Sequence, residues 1–221
     1  MPPLDQFNVT IVAADSLVAM YRELRQSRHL GARGRLDAAN ADLLWLPRSA
    51  IVVSVSALDA YVHHVVEERV PHILRGHGPP PDALCERLST VLTIRNAASF
   101  KDALPMLTAN DTLDQLVTRL KDQSLSFLAF QAPEKIEEAY RLLGHEQIFE
   151  AVAAIWQGPN TEPNDLKRRL SAYVRRRNQI AHEGDLEANG QPRPIQPDYG
   201  ADCRAFITGL VTRLNQVVYE A

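Results

Sequence analysis

Arg177, Asn178 and His182 stand close together in the stretch "RRRNQIAHEGD", residues 175 to 185. A guanidinium can hold phosphate oxygens through two parallel hydrogen bonds, and imidazole is the side chain whose charge changes near neutral pH. The pair suits acid–base chemistry on a phosphate ester. Spacing alone does not establish that chemistry. With 20 Arg and 7 His in 221 residues, an arginine five places before a histidine is expected by chance roughly 0.6 times. The elements that position the pair must carry the reading.

A helix predicted to begin near Pro163, capped by Asn164 or Thr161, carries the stretch. On its wheel Leu166, Leu170, Tyr173, Val174, Ile180 and Ala181 fall within roughly 60° of Arg177, which makes Arg177 the centre of an apolar stripe and points it inward. A guanidinium taken from water without a partner is costly, so the position needs a carboxylate, a dimer partner or an anionic ligand. The second helix offers Asp59, whose face also holds Val52, Val55, Val62 and Val66. Asp59 and Arg177 can form a buried ion pair, or Arg177 can face a ligand with Asp59 in support. His63, one turn from Asp59, is either a satisfied core histidine or part of the same cleft.

Five residues along a continuous helix is an offset of about 140°, so Arg177 and His182 meet only if the helix ends there. "HEGD" supplies that end, with Gly184 as the cap and His182 in the last turn. Asn178, four residues before His182, shares its face and can orient the imidazole. Lys167, Arg168, Arg169, Arg175 and Arg176 add cations to the same helix, a basic rim able to attract phosphates. The plain alternative for that rim is a solvated helix face.

The remaining sequence bounds the fold. Hydrophobic residues at 45% and charged residues at 23% describe an ordinary globular chain, expected to form a single domain over 1–221. Valines recur at helical spacing and no alternating segments joined by hairpin turns occur, so the class is all-α. Helices are predicted over about 4–28, 37–69, 82–93, 111–122, 133–142, 145–156 and 201–219. The first should break at "HLGARGR", and the second should bend near Pro47 and stop at Pro71. "NAAS" reads as a turn, and the run from Glu183 to Gly200 as a long loop.

Net charge of −3 and a pI near 6.2 exert no global pull on a polyanion, so nucleic acid would have to be held by the local basic rim. Cys85 and Cys203 have no ligand spacing around them, which fits a reduced, cytoplasmic protein. The N-terminal "MPPLDQFNVT" lacks a signal-peptide pattern, and the apolar run around Asp59 carries an acid and two histidines, so no membrane partner is expected. Asp59, His63 and Glu67 at four-residue intervals cannot all reach one ion, and no phosphate-loop or dinucleotide fingerprint occurs, so neither metal nor cofactor is expected.

"RNQIAH" near a helix end in an all-α chain resembles the motif of the HEPN superfamily, and the fuller "RRRNQIAHEGD" looks like its RiboL-PSP-HEPN branch. "SAIVVSVSALDAYVHHVVEE" resembles the long second helix of that branch. The likeness covers two separated parts of the chain and leaves the middle third without support. It implies a HEPN-like helical bundle and a metal-independent ribonuclease of the toxin or antiphage-defence kind, with RNA as substrate. It also implies a homodimer and an antitoxin or defence partner. Catalytic roles pass to Arg177 and His182, and the intervening polar role to Asn178. The supporting role of Asp59 follows from the wheel alone, and the RNA-binding roles of Lys167, Arg168, Arg175 and Arg176 from charge. The other reading is a non-catalytic module that binds a partner protein or nucleotide.

Overall fold

A long apolar second helix forms, with ends that differ from those expected. Asp37 caps a short 3-10 turn, Ala38–Leu44, by accepting from the Asn40 amide at 3.0 Å, and helix α2 itself runs Trp45–Arg75. Pro47 sits in the first turn of α2, directly after the 3-10 turn, and its ring holds φ in the helical range there. Pro71 lies inside the helix, which continues for one further turn. By length and composition the helical run Ala39–Arg75 could cross a bilayer. Ile51, Val55, Leu58, Val62, Val65 and Val66 are buried nonetheless, as in a core helix, while Trp45 at its start is exposed.

The structure, a computed structural model, describes residues 1–31, 36–92, 94–196 and 198–220. Gly34 of the expected helix break and Pro197 of the expected loop lie outside them. The protein is all-α, and among the described residues the only departure is an isolated bridge between Leu186 and Pro192. The chain divides into two compact units: one holds Met1–Tyr61, Gln131–Pro133 and Phe149–Ala221, and the other holds Val62–Phe130 and Glu134–Ile148.

The first unit gathers α1 (Pro3–Ser27), the first half of α2, α8 (Pro163–Glu183) and α9 (Tyr199–Tyr219). Each presents buried residues at three- and four-residue spacing: Phe7, Ile11 and Ala14 on α1, Ile51, Val55 and Leu58 on α2, Phe206, Leu210 and Leu214 on α9. Such stripes hold helices together by removing apolar area from water. α1 packs along α9, and Arg204 pairs with Asp15 across them at 2.6 Å. Gly200 opens α9 against Pro47, where an added Cβ would stand 2.8 Å from the Pro47 carbonyl oxygen.

The second unit holds the second half of α2 with α3 (Asp82–Leu92), α4 (Ala97–Leu107) and α5 (Thr112–Leu120), the last running into a single π turn, Lys121–Leu125. It also takes nearly all of α6 (Pro133–Arg141), whereas α7 (Ile148–Ile155) belongs to the first unit beyond its opening residue. "NAAS", expected as a turn, is a helix start. Asn96 accepts from the amides of Ala98 and Ser99, both at 3.0 Å, and the Ser99 hydroxyl accepts from the Asn96 amide at 3.0 Å. This reciprocal capping box nucleates α4.

Candidate functional site

Helix α8 starts at Pro163 as expected, but its cap is Glu162, which makes no side-chain cap hydrogen bond. Leu166, Leu170 and Tyr173 of its apolar stripe are buried, Val174 and Ile180 are half-buried, and Ala181 is exposed. The stripe therefore leaves the core after Tyr173. Arg177 sits where it surfaces and is half-buried, not sunk in the core as the wheel implied. A uniform wheel assumes equal cover along the whole helix, and the last two turns of α8 lack it.

The helix stops where "HEGD" predicts. Gly184 takes the left-handed conformation, φ 63° and ψ 16°, and its amide donates to the Gln179 carbonyl, a glycine-terminated helix end. Arg177 Nη1 reaches round that end to lie 3.5 Å from His182 Nε2, and it donates to Asn178 Oδ1 at 3.1 Å. All three groups thus converge, with the Asn178 and His182 side chains exposed. Asn178 holds the guanidinium, where the spacing suggested it would hold the imidazole.

Arg177 has no ion pair among the described residues, and its buried Nε has no hydrogen-bond partner there. The Asp59 partnership is absent: Asp59 is half-buried on α2, and its Oδ2 accepts from Gln131 Nε2 at 3.2 Å. A guanidinium without a neighbouring carboxylate, beside a water-accessible imidazole, keeps Nη2 to offer an oxyanion while Nη1 donates to Asn178.

What fixes the end of α8 is a cluster the sequence did not reveal. Asp185, wholly buried and in the left-handed region at φ 56°, places Oδ2 against both Arg48 Nε and, at 2.8 Å, Arg176 Nη2. Arg48, only 3% exposed, also donates to the Arg193 carbonyl at 2.7 Å, and Arg176 Nη2 donates to the Pro194 carbonyl at 3.1 Å. One carboxylate and two guanidiniums thereby tie α2, the last turns of α8 and the following loop together, three residues beyond His182. Burial pulls the Arg176 pKa below its ordinary value, and the Asp185 charge opposes that pull. Arg48 lies 137 residues from Asp185 in sequence, so no local spacing announces the pair.

The expected basic rim is only partly open to solvent. Arg175 is exposed and makes no ion pair among the described residues, and Arg168, with its side chain 79% exposed, pairs with Asp165 at 2.6 Å. Lys167 lies over the Phe149 ring and 3.7 Å from Glu150. Arg169 covers the Phe206 ring, 4.7 Å from its centroid, and Arg176 is engaged by Asp185. Lys167 and Arg168 stand about 15 Å along the helix from Asn178.

An open cleft of about 340 Å³ adjoins the cluster. Ala132 and Pro133 form one wall, and Ser171, Val174, Arg175, Asn178, Gln179 and Glu183 of α8 form the other. Asn178 belongs to both the cleft and the Arg177–His182 cluster. In the second unit His63 Nε2 lies 3.0 Å from the Leu128 carbonyl oxygen and its ring packs on Phe130, the arrangement of a satisfied core histidine. Among the described residues no three His, Cys, Asp or Glu side chains gather as a metal site.

Compared with known proteins, the chain matches no family model, no curated protein and no solved structure.

Proposed function

We propose that this chain is a metal-independent endoribonuclease of the HEPN type, acting as a homodimer in a toxin or antiphage-defence role. The observation that carries the reading is the convergence of an unpaired Arg177 guanidinium on the exposed His182 imidazole at the end of α8. Histidine as base or acid contributes about 10² to 10⁴ in rate, and preorganised donors stabilise charge that develops on phosphate oxygens.

Cleavage requires a proton to leave the ribose 2′-hydroxyl and another to reach the departing 5′-oxygen. His182 takes the first as the 2′-oxygen bonds to phosphorus. His182 of the partner subunit, protonated, gives the second as the bond from phosphorus to the 5′-oxygen breaks. Arg177 holds the non-bridging oxygens, and Asn178 holds Arg177. The products are a 2′,3′-cyclic phosphate and a 5′-hydroxyl. One imidazole cannot serve both oxygens in a single pass, which is why the reading calls for two copies.

The test is incubation of single-stranded and structured RNA with purified protein in EDTA. Wild type should cleave, and Arg177→Ala and His182→Ala should each lose at least about a hundredfold in rate while keeping wild-type helicity. Folded variants as active as wild type would remove both residues from the chemistry. A wild type that cleaves no RNA, yet binds a partner protein or nucleotide, would identify a non-catalytic module instead.

A further inference from the structure

We infer that the cleft between Pro133 and α8 is a binding site for one unpaired nucleobase of a single-stranded nucleic acid. The inference rests on the reading above for the neighbouring phosphate, and it names the group that fixes which phosphate is presented.

At about 340 Å³ the cleft lies at the small end of ligand sites, which start at roughly 300 Å³. It has room for one nucleotide and none for a duplex or a folded partner. Its two kinds of wall match the two kinds of surface on a base. Pro133 and Val174 offer apolar area to a ring face, and Gln179 and Asn178 offer carboxamides to a ring edge. Gln179 makes no side-chain hydrogen bond among the described residues, so both its donor and its acceptor are available. Asn178 spends its oxygen on Arg177 and keeps its amide hydrogens for a ligand. Paired amide donor and acceptor groups are the usual means of reading a base edge. A base needs such an edge free, which a strand has only where it is unpaired.

Charge fits the same ligand, because Glu183, the acid in the lining, is paired with Arg193 at 2.9 Å. Arg175 stands at the cleft, exposed and without an ion pair among the described residues, where a backbone phosphate of the same strand would lie. The wheel adds direction. His182 projects within roughly 40° of Asn178 on α8, so a base seated against Asn178 brings its adjoining phosphate toward the imidazole and guanidinium. The same amide that holds Arg177 would touch the base, linking recognition to the reacting phosphate.

Binding can be measured apart from catalysis with a single-stranded tetradeoxynucleotide, which lacks the 2′-hydroxyl and cannot be cut by the proposed route. An abasic tetramer of the same backbone charge is the comparison probe. Wild type should bind the base-bearing probe, and the abasic probe should bind roughly tenfold or more weaker. Val174→Trp, which fills the cleft, and the milder Gln179→Ala should each weaken the base-bearing probe toward the abasic level while leaving the abasic probe unchanged. Equal binding of the two probes by wild type, or indifference of both folded variants, would overturn the site. RNA cleavage that persists in Val174→Trp with unchanged rate and cut positions would sink the base site and leave the ribonuclease reading standing. Base-dependent binding by a wild type that cuts no RNA would do the reverse.

Discussion

Arg177 keeps an uncompensated charge because the apolar stripe it belongs to surfaces beside it, whereas eight residues later Asp185 is buried and bound by two arginines. The two positions should respond oppositely to truncation. Arg177→Ala removes no ion pair and should change stability by less than about 1 kcal/mol. Asp185→Ala strands two guanidiniums, one of them 3% exposed, and should cost about 3–5 kcal/mol by chemical denaturation. Equal effects would mean that the Asp185 cluster does not hold the end of α8. The two thiols make a second contrast at this scale. Cys85 is exposed, and Cys203 is buried with its thiol pushed far up by desolvation. A native thiol titration should find Cys85 reactive and Cys203 silent until the chain unfolds; rapid labelling of both would refute the burial. Arg177, Asn178 and His182 were legible as a group from type and spacing. Their setting was not, because a wheel gives direction and carries no information on where the neighbouring helices end.

Among the elements, the helices with a clear apolar period were the readable ones, and α3, α5, α6 and α7 form within three residues of the expected spans 82–93, 111–122, 133–142 and 145–156. α1, α8 and α9 fall within a few residues of the expected spans, and Gly184 closes α8 as its position after His182 implied. α4 is not legible from "NAAS" alone, because asparagine with a nearby serine suits a turn as well as the cap it forms here. Removing that cap should be felt locally. Asn96→Ala should cost about 1 kcal/mol, seen as faster amide exchange through Ala97–Leu107 and unchanged exchange in α9. Exchange rates in α4 equal to wild type would show that tertiary cover, not the cap, holds the helix. Proline is expected to stop a helix, yet one turn of α2 follows Pro71, since a helix close to its end forfeits little by losing a single backbone hydrogen bond.

The whole chain is acidic by three charges, so the attraction to an anion argued above is confined to the end of α8 and the adjoining Arg175. The long α2 helix contributes to both compact units, and its continuous apolar character made the all-α class plain. Two units were less legible, because α2 passes from one to the other with no glycine or polar break at Tyr61 and Val62. The second unit has its own pH dependence. Burial, with the Arg69 charge adding to it, holds His145 below its ordinary value near 6.5. The folded unit therefore keeps His145 neutral where the unfolded chain would take up a proton, so stability is full above roughly pH 6.5 and declines as the pH falls below it. Denaturation at a series of pH values should show that decline, and His145→Gln should flatten it. A curve unaltered by the replacement would assign the dependence elsewhere.

The central claim is that Arg177 and His182 drive attack of a ribose 2′-oxygen on its own phosphate. The most direct measurement is the chemistry of the ends left on RNA cut by wild type in EDTA, read by mass spectrometry. The account predicts 2′,3′-cyclic phosphates and 5′-hydroxyls that vanish with His182→Ala. Ends carrying 3′-hydroxyls and 5′-phosphates, or cyclic ends undiminished in that variant, would contradict it.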